Sequence, residues 1–287
     1  MARLSSRFSL EEKVGRGAFG EVFRARDLET GVAVAVKRLH PGLDDDAALD
    51  RFRREARLLS LLDDPHVVRY VDHGEDDEGR LYLAVEWLDG EDLGRRQERK
   101  RLSFPEVIEA ARQSALGLHA LHEAGIVHRD VKPANLFLVQ GEGGALRIKL
   151  IDLGVARAFG ESTLTGGAMA MGTPFYMSPE QARGRERVTA RSDLFSLGAV
   201  IFELCTGRRP YSGEHLFAVL AKIVLQEPPR LRDALPGVHP RLSALVLRAM
   251  SKSLADRFAS AREMAEALAA LPNDEQPVEP GLRGGIR

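Results

Sequence analysis

Residues 128 to 135 read His128-Arg129-Asp130-Val131-Lys132-Pro133-Ala134-Asn135, and Asp152-Leu153-Gly154 follows after a short apolar run. A carboxylate, an ammonium and an amide at this spacing can hold a hydroxyl nucleophile, a transferring phosphoryl group and a metal ion. Phosphoryl transfer leaves a protein little covalent work, so catalysis rests on positioning and charge stabilisation. A few fixed polar side chains are enough to betray it. Taken singly, Asp130 could cap a turn and Asn135 could be a turn amide. Lys132 between them and Asp152 downstream make that the weaker account.

Such groups need elements that aim them. Gly15, Gly17 and Gly20 follow Val14 at the Gly-x-Gly-x-x-Gly spacing, which dinucleotide sites and phosphate-covering hairpins share. A dinucleotide site requires a helix after the last glycine. Here residues 21–26 read extended and enter a turn at 27–31, which predicts a β-hairpin folded over phosphates. The next strand, residues 32–37, is an apolar run, so an inward-facing Lys37 is costly unless its ammonium meets an anion. Nucleotide phosphate and a glutamate are the two candidates. Residues 49–62 predict a helix with Phe52, Ala56 and Leu59 on a buried face and Arg51, Arg53, Arg54 and Arg57 mostly in solvent. Glu55 sits at the edge of that face, where it either reaches Lys37 or stays solvated.

Composition removes several classes of function. Lysine plus arginine number 41 against 42 acids in 287 residues, so no overall basic field draws the chain to nucleic acid or an anionic membrane. The single cysteine, Cys205, excludes an internal disulfide framework and lies in an apolar run, as a buried structural thiol would. No signal peptide core opens the chain, and the longest uncharged stretch, residues 162–179, holds several glycines and two prolines, which reads as loop and not as a membrane span. A cytoplasmic location, or a cytoplasmic part of a longer protein, is expected. Residues 272–287, rich in proline, glycine and acid, read as a disordered tail or linker.

Glycine loop, strand lysine, helix glutamate, His-Arg-Asp loop and Asp-x-Gly, in that order, resemble the protein kinase signature set. Ser178-Pro179-Glu180-Gln181-Ala182-Arg183-Gly184 and Ala190-Arg191-Ser192-Asp193 resemble phrases of the bacterial, eukaryotic-like Ser/Thr kinases. The resemblance implies an α+β, two-lobed protein kinase fold: a β-rich N-lobe over 8–85, a hinge over 86–92 and a helical C-lobe over 93–271, after an N-terminal extension over 1–7. It implies ATP and Mg²⁺ as cofactors and proteins with Ser/Thr acceptors as partners.

The family's roles carry over to matching positions. Asp130 would accept or orient the proton of the attacking hydroxyl, and Lys132 would meet the γ-phosphate. Asn135 and Asp152 would hold Mg²⁺, a hard cation that takes oxygen ligands. Lys37 would orient the α- and β-phosphates and be oriented by Glu55. The backbone of Glu86, Trp87 and Leu88 would meet the adenine edge; Val14, Val22, Ala35 and Phe137 would sandwich the ring, and Asp92 would meet the ribose. Val85, being small, would leave room behind the adenine. Asp193 would bond the catalytic-loop backbone, Glu180 would pair with Arg257, and Leu59, Tyr70, His128 and Leu153 would stack between the lobes, which moves His128 from catalysis to packing.

Regulation and specificity are implied more finely. Arg129 would pair with a phosphate on the loop between Asp152 and Glu180, with Thr165 as the main autophosphorylation site and Thr163 second. A homodimer would serve such autophosphorylation. Thr173 and Lys132 belong to the Ser/Thr version of the site. Ala134 and Phe175 stand where kinases preferring an upstream arginine carry acids, and Met171, Pro174 and Met177 imply an apolar pocket just downstream of the acceptor. Leu153 and Ser178 replace the usual phenylalanine and alanine of their motifs without touching Lys37, Asp130 or Asp152. The basic run 95–101 reads first as a solvated helix face and secondarily as a docking patch for an acidic partner. The rival functions are a catalytically weak nucleotide-binding scaffold and a small-molecule kinase of the antibiotic or choline type; the latter lack a Ser-Pro-Glu segment like 178–180.

Overall fold

Apolar residues at period two build the first part of the chain. The strands are β1 (Ala2–Arg3), β2 (Phe8–Arg16), β3 (Gly20–Asp27), β4 (Ala33–Leu39), β5 (Tyr70–Glu75) and β6 (Leu81–Glu86). They form one antiparallel sheet in the order β1-β2-β3-β4-β6-β5. The computed structural model describes residues 2–17, 20–40, 46–141, 143, 145–152, 174–184 and 188–272. Leu4, Phe8, Leu10, Ala25, Val34, Val36, Tyr82 and Ala84 form a compact core on one side of the sheet. Register places Val22 opposite Lys37, Lys37 opposite Leu83 and Ala35 opposite Val85, so these residues share the other face. Lys37 therefore points away from the small core and towards α1 and the cleft. Residues ahead of Phe8 are woven into this sheet: β1 pairs with β2, and the Arg7 guanidinium clasps the buried Asp27 through Nε (3.2 Å) and Nη2 (3.0 Å).

The helix α1 (Asp46–Leu59) buries Phe52, Ala56 and Leu59, as the periodicity predicts. Its ends differ from the expected 49–62. The amides of Leu61 and Leu62 reach back only three residues, to the carbonyls of Leu58 and Leu59, so the chain tightens out of the helix there. Pro65 disfavours helical backbone at Asp64, which explains why the helix cannot run on.

The second part is mainly helical. β7 (Gly90–Asp92) leads into α2 (Leu93–Arg99) and α3 (Phe104–Glu123), the latter started by a Ser103/Glu106 capping box. β8 (Leu136–Gln140) and β9 (Leu146–Leu150) form with β7 a three-stranded antiparallel sheet. Then come α4 (Pro179–Arg183), α5 (Ala190–Thr206), α6 (Leu216–Leu225), α7 (Leu231–Ala234), α8 (Pro240–Ala249) and α9 (Ala261–Ala269). α5 is apolar almost all round and is buried accordingly, with α3, α8 and α9 against it. The core of this lobe runs without a break into the inner face of α1 through Val67, Val68 and Leu83. Among the described residues no helix is long and apolar enough to cross a membrane.

Candidate active site

The loop from His128 to Asn135 is fixed from below by one buried carboxylate. Asp193, in the first turn of α5 and 1% exposed, accepts the backbone amides of His128 (2.9 Å) and Arg129 (2.8 Å). The imidazole Nε2 of His122, near the end of α3, meets the same carboxylate at 2.8 Å. His128 itself is fully buried; its Nδ1 accepts the Asp130 amide at 3.3 Å while Nε2 faces the Ile151 carbonyl at 3.2 Å. Both ring nitrogens are thus spent on the backbone of the two segments that carry Asp130 and Asp152. This is the packing role expected for His128, with an added function as a hydrogen-bonded bridge.

Held this way, the reactive groups converge. Lys132 Nζ donates to Asp130 Oδ2 at 2.8 Å, and Asn135 Nδ2 donates to the Asp130 carbonyl at 2.8 Å and to its Oδ2 at 3.1 Å. Asn135 is placed by the 3₁₀ turn Pro133–Asn135, and its carbonyl accepts the Ile151 amide at 3.0 Å, which sets Asp152 one residue further on. Because the Asn135 amide nitrogen is committed to Asp130, its Oδ1 is the atom left to ligate a cation. Lys37 Nζ forms an ion pair with the Asp152 carboxylate across the cleft. Desolvation in the cleft pushes the Asp152 carboxyl up, but the ammoniums of Lys37 and Lys132 overcome this and hold it below the usual carboxylate range.

Arg129 and Asp152 have φ of 63° and 57°, and among the described residues they alone occupy the left-handed region without being glycine. Such backbone costs about 1–2 kcal/mol per residue and persists where surrounding contacts over-determine it. Here Asp193 and Ile151 supply those contacts.

The other wall of the cleft is formed by the β2–β3 hairpin, the inner face of β4 and the chain that follows β6. Gly15 and Gly17 lie on the hairpin, where the Gly17 amide donates to the Gly20 carbonyl at 2.8 Å. Gly20 has a different reason to be glycine: a Cβ there would stand 2.2 Å from the Arg38 carbonyl oxygen. Val22 and Ala35 share the cleft face with Lys37, Val14 is exposed on the hairpin, and Leu88 packs on the edge of the core. Phe137 on β8 stands in register with Asp92. Asp92 caps α2, with Oδ1 accepting the Arg95 amide at 3.0 Å, so a ribose contact would share that carboxylate with the cap. Glu55 is half-buried on α1. Thr163, Thr165, Thr173, Leu153 and Met171 lie outside the described residues.

Two interactions at this site carry no signal in the sequence. Glu86, at the hinge, accepts the Arg69 amide at 2.8 Å and Lys149 Nζ at 2.6 Å. Lys149 also donates to the Val67 carbonyl at 3.3 Å, so β9, the strand before Asp152, is bolted to the hinge. Gln181 Nε2 on α4 donates to the Arg129 carbonyl at 2.8 Å, which seats the Ser178–Glu180 segment beside the catalytic loop. Behind it, Arg257 and Glu180 form the expected pair: Nη1–Oε1 2.8 Å and Nη2–Oε2 2.9 Å, both side chains buried, with Ser192 Oγ donating to Oε1 at 2.6 Å.

Two oxygen ligands, Asn135 Oδ1 and the Asp152 carboxylate, suit Mg²⁺, which keeps several waters and takes its other ligands from phosphate. Among the described residues no cluster of three or more His, Cys, Asp or Glu forms an all-protein metal cage.

Residues 8–266 match the model of the protein kinase domain. The chain is 40% identical over 285 residues to a Streptomyces coelicolor protein named "Probable serine/threonine-protein kinase SCO3848", covering 96% of this chain and 41% of that one. It is 36% identical over 283 residues to serine/threonine-protein kinase PknA of Mycobacterium tuberculosis, covering 96% of this chain and 64% of the relative. The chain spans about half the length of several of the curated relatives it matches. The solved kinase domain of Mycobacterium tuberculosis PknI superposes with a TM-score of 0.73 at 29% identity, over 92% of this chain and 96% of that one. With the catalytic loop, the cleft lysine and the buried Glu180–Arg257 pair in one two-lobed frame, the chain belongs to the protein kinase family, as a domain of the bacterial, eukaryotic-like serine/threonine type.

Proposed function

We propose that this chain transfers the γ-phosphoryl group of MgATP to serine or threonine hydroxyls of protein substrates. The observation that carries the reading is the Asp130–Lys132–Asn135 cluster, bonded at 2.8 to 3.1 Å and facing Lys37 and Asp152. Asp130 orients the acceptor hydroxyl and takes its proton; Lys132 and Asn135 on Oδ2 fix the plane of that carboxylate before the substrate arrives. Lys132 then offers its ammonium to charge developing on the transferred group, a stabilisation that needs no reorganisation at the moment of reaction. Asn135 Oδ1 and Asp152 would hold Mg²⁺, which would supply positive charge to neutralise the phosphates during transfer.

Lys37 orients the α- and β-phosphates, and Glu55 on α1 keeps it there. Val14, Gly15, Gly17, Gly20, Val22, Ala35, Glu86, Leu88, Asp92 and Phe137 enclose the nucleotide. Thr165 and Thr163 receive phosphate from a second copy of the chain in a transient homodimer, and Arg129 receives that phosphate in turn. The domain works in the cytoplasm, either by itself or as the cytoplasmic domain of a longer protein.

The test is Asp130→Asn, which keeps shape and removes the base. Turnover on a protein acceptor should fall roughly 10²- to 10⁴-fold while nucleotide affinity stays within a few-fold. A cellular phenotype that survives Asp130→Asn would favour the nucleotide-binding scaffold instead.

A further inference from the structure

Beside the substrate segment stands an arginine that sequence reading passed over. Arg209, two residues past the glycine that ends α5, lays its guanidinium carbon 3.9 Å above the centre of the Phe175 ring. Its Nε is 3.9 Å from Oε1 of Glu203, whose other oxygen accepts the Tyr176 hydroxyl. Phe175 and Tyr176 lie in the 3₁₀ turn Pro174–Tyr176, immediately before the segment that Gln181 ties to the Arg129 carbonyl, one residue from Asp130. The stacked arginine is therefore part of the surface over which an acceptor peptide must pass on its way to Asp130. Glu203 is the anion of this surface, yet its side chain is only 20% exposed, while Arg209 is 43% exposed and sits over it. Among the described residues no other carboxylate is within ion-pair distance of Arg209.

The neighbourhood reinforces the sign. Arg101 Nη2 donates to the Thr206 carbonyl at 3.0 Å, and Arg208 is exposed next to Arg209. The C-terminal end of α5 thus carries the Arg101 guanidinium, the exposed Arg208 and Arg209, while the ion-pair partner of Arg209, Glu203, is largely buried. Stacking on Phe175 also pre-orders the arginine, so little rotamer freedom is lost when it meets a ligand.

The geometry points to Arg209 as a specificity-determining residue that selects an acidic side chain in the substrate beside the acceptor, with Glu203 masked from basic ones. This rests on the protein-substrate reading above. It goes further than the expectation drawn from Ala134 and Phe175, which removed a preference for arginine without supplying a replacement.

The test uses acceptor peptides in which a single Glu, Gln or Arg is walked through the four positions on each side of the serine, with wild-type chain, Arg209→Gln and Arg209→Lys. At one position or more, wild type should favour Glu over Arg by roughly two- to five-fold in kcat/KM, the range of a partly exposed ion pair, and the preference should shrink in high salt. Arg209→Gln should abolish or reverse it by uncovering Glu203, while Arg209→Lys should keep its sign. Taking the ratio within each variant cancels any loss of folded protein. Equal use of Glu and Arg peptides by wild type, or an acidic preference that survives in Arg209→Gln, overturns the inference. Failure of wild type to phosphorylate any peptide or protein acceptor, with ATP still bound, would instead overturn the protein-substrate reading, and this inference with it.

Discussion

Replacing Arg257 by methionine removes a guanidinium that touches no solvent and leaves its partner in place. Glu180 would keep one described side-chain bond, from Ser192, and lose two from Arg257 at 2.8 and 2.9 Å. A carboxylate stranded in this way costs about 3–5 kcal/mol. Arg257 also donates to the carbonyls of Ser251 (2.8 Å) and Arg191 (3.0 Å), so the substitution uncaps two backbone oxygens and the upper part of that range applies. For a chain of this size 1 kcal/mol moves the melting temperature by about 2–4 °C, so a loss of about 10–20 °C is expected by calorimetry. The pH dependence separates a stranded charge from simple loss of packing. In the native chain burial pushes the Glu180 carboxyl up and Arg257 more than reverses it, leaving it below its usual range. That contribution is present above the unfolded carboxylate range and is lost as pH falls from there through the lower pKa of the folded state. In Arg257→Met only the Ser192 and backbone hydrogen bonds oppose the burial and the folded carboxyl rises, so the variant is penalised at neutral pH and recovers as acid protonates Glu180. The gap in melting temperature between the two proteins should therefore narrow from pH 8 to pH 5. A loss below 1 kcal/mol, or a gap constant with pH, would refute the assignment of Glu180 as a buried anion held by Arg257.

Asp27 is held at a pKa of about 2 by the Arg7 guanidinium, a depression worth on the order of 2 kcal/mol; this stability is full above pH 4 and lost as pH falls towards 2, so Asp27→Asn should flatten an acid-unfolding curve that wild type shows there. Lys149→Met unties β9 from the hinge and should raise KM for ATP several-fold with a smaller change in kcat, by about 1–2 kcal/mol for a charge-assisted bond; a fall in kcat alone would contradict the positioning role given to Glu86. Cys205 is buried, and the lack of solvent drives its thiol up to about 12; it should resist alkylation in the native chain and react at once in denaturant, with rapid native labelling counting against its burial on α5.

What was legible in the sequence had a local cause. The catalytic loop, the hairpin glycines and the buried face of α1 announce themselves within a few residues, because turn chemistry and helical period act over that distance. Pairings across elements did not: Lys149 with Glu86 spans 63 residues and His122 with Asp193 spans 71, and nothing within either strand or helix marks those partners. Asp193 and the Glu180–Arg257 pair were reached only through family resemblance, and the geometry then supplied the physical reason for each. The C-terminal end of α1 falls short of the periodicity, which persists through Leu62, because the backbone tightens after Leu59 on its way to Pro65. Gly20 counted as a phosphate-loop glycine, whereas its own constraint is the β4 backbone at 2.2 Å from where a side chain would begin.

The left-handed backbone at Arg129 and Asp152 has a consequence for anyone hardening this chain against heat. A search for residues in uncomfortable conformations would select these two first, and glycine would relax both. Each stands at or beside a carboxylate aimed by its neighbours, so the comfort gained would be paid in aim. Thermal robustness is better sought at the rim, in the exposed leucines Leu61 and Leu225, where no part of the phosphoryl-transfer site depends on the outcome.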